Sequence, residues 1–150
     1  MQRLRAYASG DAAGCVRIFD SNVPRYFAAD ERAEFADFLA GLCRGNGRYL
    51  VMTDNDRIVA CGGLEFTTPK RAALTWGMVE ADWHGRGLGW RLTAARLDLA
   101  RATPGLSDVT LATSQHTAGF YARFGFVTTR VERDGFGPGL DRCDMRLDLR

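Results

Sequence analysis

The ten residues WHGRGLGWRL, Trp83 to Leu92, put glycine at every second position, Gly85, Gly87 and Gly89, at the mouth of a run that reads as a helix. Glycine inside a helix costs about 0.5–1 kcal/mol relative to alanine. Its repetition here implies that something approaches the backbone closely. The first N–H groups of a helix lack internal acceptors, and the helix dipole is positive at that end. No Ser, Thr, Asp or Asn lies between residues 84 and 89 to cap them. A pyrophosphate is a natural occupant of such a site, with His84 and Arg86 able to add hydrogen bonds. The competing reading is a loop that is merely tight.

Two familiar phosphate loops fail on residues. The dinucleotide fingerprint GxGxxG would need its third glycine where Trp90 stands, and a bulky side chain there obstructs the helix–strand contact. The triphosphate loop GxxxxGK[ST] needs a Gly-Lys pair, and the one lysine of the chain, Lys70, follows Pro69.

Working outward, residues 71–79 read as a strand that feeds this loop, with Gly77 inside it marking a bulge or a close backbone approach. After the loop a helix runs to about Arg101, with Leu88, Leu92, Ala95 and Leu99 as its apolar face. Upstream, residues 2–7 suggest a first strand. A helix capped by Ser9 or Asp11 reaches about Asp20, and a second spans about 29–42 with Phe35, Phe38, Leu39 and Leu42 on one stripe. Tyr49–Met52 and Ile58–Phe66 form a hairpin around Asp54–Asp56. Downstream come a strand at Val109–Ala112, a short helix over 116–124 with Phe120 and Phe124 stacked, a strand starting at Phe126, and a last one over 143–149. The segment 132–141 is glycine-rich, either a lid or a plain hairpin. The order βααβββαβαββ implies a mixed α/β fold with helices on both faces of one sheet.

The length of 150 residues fits one domain, residues 1–150. A net charge of +2 is too small to argue for nucleic acid. No apolar run suggests a membrane span or a secretory leader, so the expected location is cytoplasmic. Cys15, Cys43, Cys61 and Cys143 are far apart and show no metal-ligand spacing, so buried or idle thiols are expected, with neither a zinc site nor a disulfide framework.

The run Val79-Glu80-Ala81-Asp82-Trp83-His84-Gly85-Arg86-Gly87-Leu88-Gly89 resembles the acetyl-CoA motif of the GCN5-related N-acetyltransferase (GNAT) superfamily, whose core is [Q/R]-x-x-G-x-[G/A]. His84 stands in the Gln/Arg place, and Ala81 replaces the usual proline. Phe120-Tyr121-Ala122-Arg123-Phe124-Gly125-Phe126 resembles the family's second signature, F-Y-x-x-x-G-F, with Ser114 where Asn is frequent. The two signatures lie in the elements where the family has them.

The resemblance implies a mostly antiparallel sheet of about seven strands with a V-shaped split between the fourth and fifth. It implies that backbone groups of Met78 and Val79 pair with the pantetheine arm of acetyl-CoA, and that N–H groups from Gly85 through Arg86, Gly87, Leu88 and Gly89 to Trp90 hold the pyrophosphate. Ser114 and His84 belong to the same cofactor set, although His84 is a departure from the motif. The N–H of Val79 is the family-like donor to the oxyanion.

Tyr121 is the expected general acid, because a phenol of pKa about 10 is protonated at neutral pH. Glu80 and Glu65 are the candidate bases; His116 reads as a surface residue. The loop after the first helix, with Asn22, Tyr26 and Phe27, is the substrate wall, and Asp30 and Glu34 can attract a cationic amine. The expected function is acetyl-CoA-dependent N-acetylation of a small amine or amino-acid-like acceptor by direct transfer in a ternary complex. A peptide or protein N-acetyltransferase and a non-catalytic acyl-CoA-binding module are the alternatives. No metal, nucleic acid or membrane partner is expected, and a homodimer follows only from family habit.

Overall fold

The computed structural model describes residues 1–42 and 48–150; Cys43 lies outside them. Among the described residues the chain runs β1 (Gln2–Ala6), α1 (Ala12–Ser21), α2 (Glu31–Gly41), β2 (Arg48–Asp54), β3 (Arg57–Thr68), β4 (Arg71–Val79), α3 (Leu88–Arg101), β5 (Asp108–Thr113), α4 (Ala118–Ala122), β6 (Val127–Gly137) and β7 (Leu140–Asp148). This is the expected order. The strands form one sheet, β1-β2-β3-β4-β5-β7-β6. Every pairing is antiparallel except β4 with β5.

Local chemistry accounts for the edges of these elements. The β2–β3 turn places Asn55 and Asp56 at φ 48° and 67°, the left-handed region that Asn and Asp tolerate. Asp11 precedes α1 but caps nothing with its side chain. Its carboxylate instead accepts two bonds from Arg5, at 2.7 and 2.9 Å, and one from the Ala8 N–H. The short helix α4 is shorter than its aromatic spacing suggested, because Gly125 turns the chain at φ 102°. Residues 132–141 take the hairpin form, β6 and β7 closing through Pro138 and Gly139.

Adjacent residues of the strands enter different cores, so both faces are covered. Val51 joins Ile18, Phe19, Phe35 and Leu39 under α1 and α2, while Met52 joins Leu88 and Leu92 under α3. The stripe expected on α2 is the one that packs there, with Phe38 and Leu42 flanking Phe35 and Leu39. Cys15, Cys61 and Cys143 are buried free thiols.

β4 does not keep one parity. Leu74 packs with the β5 and β7 side chains, whereas Trp76 and Met78 pack under α1 and α2. The register explains the switch: Thr75 faces Gly63, but Met78 faces Cys61, so β4 advances three residues while β3 advances two. One extra residue in a strand moves every later side chain to the other face. The bulge lies at Trp76, which holds φ 42°, a conformation that costs a non-glycine residue about 1–3 kcal/mol. Tyr49 Oη donates to the Trp76 carbonyl at 2.8 Å, and the indole lies among Phe19, Phe27, Phe35 and Phe38.

β4 and β5 pair only at Arg71–Asp108, Ala72–Val109 and Ala73–Thr110. Beyond Leu74 and Leu111 the strands part. The closed end is clamped by Arg71, whose Nε and Nη2 donate to the two Asp108 oxygens at 2.7 Å each. Arg71, and behind it Arg146, hold the Asp108 carboxyl below the usual carboxylate range. A depressed pKa means that this stability is present above the unfolded pKa and lost as pH falls through the folded one. Asp108→Asn should lower Tm at pH 7 by about 2–4 °C, as expected for a pair worth about 1 kcal/mol. The gap to wild type should begin to narrow below about pH 4 and close as pH falls through the depressed folded pKa; a thermal melt series from pH 8 down to about pH 2 checks it.

Candidate active site

The parting of β4 and β5 opens a cavity of about 930 Å³ that runs from the start of α3, through the gap, to the loop after α1 and the first turn of α2. At one end Gly87 is the residue before α3, at φ 83°, and Gly85 is at φ 79°. A Cβ at either would meet nothing within 4 Å, so these glycines serve backbone conformation, not crowding within the protein. The first helical bond of α3 runs from the Arg91 N–H to the Gly87 carbonyl at 3.1 Å. The N–H groups of Leu88, Gly89 and Trp90 precede it and are the donors that a helix start leaves without internal acceptors. No side-chain cap occupies them. Leu88 is buried and anchors this turn.

Of the expected cofactor residues, Met78, Val79, His84, Gly85, Gly87, Leu88, Gly89, Trp90 and Ser114 line the cavity; Arg86 does not. Its guanidinium lies over the Trp83 ring, 4.5 Å from the centroid. A cation that sequence reading missed, Arg123, does line the cavity and sits 5.0 Å from the Trp90 ring centroid. Trp90 is fixed by stacking on Phe124 at 4.0 Å. Phe120 and Phe124 thus pack α4 onto the start of α3.

The Val79 carbonyl, at the lip of the gap, already has two donors. Asn22 Nδ2 is 2.9 Å away and His84 Nε2 is 2.8 Å away. With Nε2 carrying the proton, Nδ1 of the neutral ring is left as an acceptor. Asn22 is buried and also donates to the Ile18 carbonyl, tying the end of α1 to the end of β4. The Tyr26 ring makes edge contacts with both His84 and His116, so the two imidazoles flank one phenol on the cavity wall.

Tyr121 lines the cavity as expected, held by edge contacts with Phe120 and Phe126. Neither expected base is brought there. Glu65 lies exposed on β3 opposite Ala73, at the closed end of the sheet. Glu80, 6% exposed, accepts from Arg17 Nη1 at 2.5 Å and from Arg57 Nη2 at 2.6 Å, joining α1 to the start of β3, and it does not line the cavity. The chain pairing, not the spacing, decides this: Glu80 follows β4 with reversed parity after the bulge.

The carboxylates that do line the cavity are Asp30, Glu31 and Glu34 at the start of α2. Asp30 and Glu34 were singled out in the sequence; Glu31 was not. Glu31 Oε2 accepts the Ala28 N–H at 2.8 Å. Burial, and then the neighbouring Glu34 and Asp30 charges, hold its carboxyl above the usual carboxylate range. Phe27 and Trp76 form the apolar wall beside them.

The arrangement suits a phosphate-bearing thioester: free N–H donors at one end, a narrow gap between strand edges, and acidic groups at the other end to receive an amine. Its residues fit acetyl-CoA, which when bound supplies an acetyl group activated as a thioester. Among the described residues no cluster of metal-ligating side chains is present, and no helix is long and apolar enough to cross a membrane.

The sequence model of the acetyltransferase (GNAT) family matches residues 8–126. No curated protein matches the chain in sequence. In fold it is similar to the ribosomal-protein-S18-alanine N-acetyltransferase of Escherichia coli, at 18% identity and TM-score 0.81 over 99% of this chain and 94% of that one. YncA of Salmonella typhimurium, solved with its cofactor acetyl-CoA, gives 17% identity and TM-score 0.79 over 100% and 95% of the two chains. An N-acetyltransferase of Staphylococcus aureus gives 16% and 0.77 over 100% and 99%.

A side chain at Gly87 that tolerates φ above zero isolates the phosphate end. Gly87→Asn keeps the turn and has room on the protein side. Its Tm without ligand should stay within about 2 °C of wild type, since Asn and Gly differ little before a helix. Saturating CoA, worth about 2.7 kcal/mol at one hundred times Kd, should raise the wild-type Tm and leave the variant's unchanged. An equal rise in both would remove the pyrophosphate from this loop.

Proposed function

Since the chain belongs to the GNAT family of acetyltransferases, we propose that it transfers the acetyl group of acetyl-CoA directly to the primary amine of a small, cationic acceptor. The observation that carries the reading is the continuous cavity between the free N–H groups of α3 and the acidic start of α2.

Asp30 and Glu34 draw the ammonium form in, and Glu31 takes the proton that attack requires the amine to lose. A carboxyl raised by burial is nearer the task of a base at neutral pH than an ordinary one. Asn22, Tyr26 and Phe27 orient the acceptor beside Val79, the bulge having turned Met78 and Val79 to their positions at the lip. The backbone N–H of Val79 faces the developing oxyanion. Tyr121 Oη returns a proton to the leaving sulfur. His84 and His116, on either side of Tyr26, position that ring. The free thiols Cys15, Cys61 and Cys143 suit a reducing compartment, in keeping with a cytoplasmic enzyme.

An amine panel assayed by free-thiol release, with products resolved by mass spectrometry, tests the acceptor. Di- and polyamines or amino-acid amides should exceed peptides by at least tenfold in kcat/KM. A reversal would move the assignment to peptide N-termini, and acetyl-CoA binding without product would make the domain a binding module. Tyr121→Phe should lower kcat at least tenfold with the acetyl-CoA Kd unchanged. Glu31→Gln should remove the rise of kcat/KM with pH that a carboxylate base confers, since the rise follows its loss of a proton; a wild-type-shaped pH profile would return the proton to solvent.

A further inference from the structure

Arg96, on the third turn of α3, is 1% exposed and among the largest fully buried side chains. None of the ion pairs among the described residues includes it. Its hydrogen bonds are long: Nη1 to the Gly63 carbonyl at 3.3 Å and Nη2 to Thr93 Oγ1 at 3.4 Å. Nε is buried with no partner. A guanidinium cannot shed its charge, and an uncompensated buried charge is strongly unfavourable.

The fold makes room for this group. A Cβ on Gly77 would lie 2.7 Å from Nη2, and one on Gly62 would lie 3.1 Å from Cζ. The guanidinium therefore rests on bare backbone at the β4 bulge, next to Met78 and Val79. It also lines the cavity, together with Thr93 and the apolar Leu74, Leu92 and Leu111. On the proposed function, the acyl group of the thioester shares this cavity with Arg96. An acetyl methyl leaves the cation as unpaired as before. A carboxylate at the far end of a longer acyl chain matches the planar fork of Arg96 and cancels its charge.

We propose that Arg96 is the receptor for a carboxylate on the acyl group, so that the chain takes acyl-CoA thioesters of dicarboxylic acids, of malonyl or succinyl size, in preference to neutral ones of equal length. Transfer is otherwise the same reaction: the amine nitrogen forms a bond to the thioester carbonyl carbon, the C–S bond breaks, the amine loses a proton and the thiolate gains one. This inference rests on the reading of the cavity as an acyl-CoA site and narrows its donor.

The test is direct binding of free CoA, acetyl-CoA, butyryl-CoA and succinyl-CoA by calorimetry, together with thermal melts. Succinyl-CoA should bind wild type at least tenfold more tightly than butyryl-CoA. Arg96→Met should abolish that preference, keep the free-CoA Kd within twofold, and melt without ligand at or above the wild-type Tm, because a buried unpaired charge has been removed. Arg96→Lys, which keeps the charge, should retain part of the preference and serves if the methionine variant fails to fold. Equal wild-type affinity for the two thioesters, or a preference that survives in Arg96→Met, overturns the proposal. If acetyl-CoA binds and its acetyl group reaches an amine with no such preference, the donor inference falls and the acetyltransferase reading stands. If no CoA compound binds, both fall.

Discussion

One surplus residue in β4 sets the positions of nearly everything that follows it. Side chains alternate along a strand, so β4 without its bulge would send residues 72, 74, 76 and 78 to a single face. With it, Leu74 remains in the core shared with β5 and β7, and Trp76 and Met78 turn toward α1 and α2. The left-handed conformation of Trp76 is held by four phenylalanine rings and by the Tyr49 hydroxyl. The same reversal sends Glu80 out to Arg17 and Arg57. A large buried aromatic cluster thus maintains a backbone irregularity on which the lip of the cavity depends.

The two buried charges near the bulge are handled in opposite ways. Glu80 has two counter-charges: one carboxylate oxygen takes two arginines, each partly in water, which ties helix to sheet, while the other oxygen is buried without a partner. Arg96 has a carbonyl and a hydroxyl at long range and no counter-charge. Stability alone favours an apolar residue at such a place, and positions that work against stability are characteristic of sites kept for function.

Much of this was legible in the sequence, for physical reasons that differ by element. The helix start after the glycine loop, the αβ alternation and the α2 stripe of Phe35, Phe38, Leu39 and Leu42 are local patterns, and the structure has each of them in place. Gly77 signals a bulge or a close approach, and the structure has a bulge beside it at Trp76 and the Arg96 guanidinium packed against it. The misreadings depended on distant partners. Glu80 lies one residue beyond a strand that ends at the site, yet its direction depends on the bulge parity and on Arg17, sixty-three positions away. The apolar spacing on α3 gives Leu88, Leu92, Ala95 and Leu99 as its face; Leu88 and Leu92 are buried, Ala95 and Leu99 only half-buried, and the buried face is completed by Thr93, Arg96, Leu97 and Ala100. A charged residue is read as solvent-facing by default, and only the glycines at 62 and 77, from other strands, give it somewhere to go. Glu31 was passed over because its neighbours Asp30 and Glu34 looked equally acidic, and burial is what distinguishes it.

Among the described residues, three residue pairs join β5, β6 and β7 to the remaining strands along the sheet. The single sheet therefore narrows to a short seam, fastened by the bidentate clamp of Arg71 on Asp108. Past the seam, facing strand edges have no neighbour, and an extended ligand lying between them takes the place of a missing strand. Its occupancy then becomes part of the sheet's own continuity.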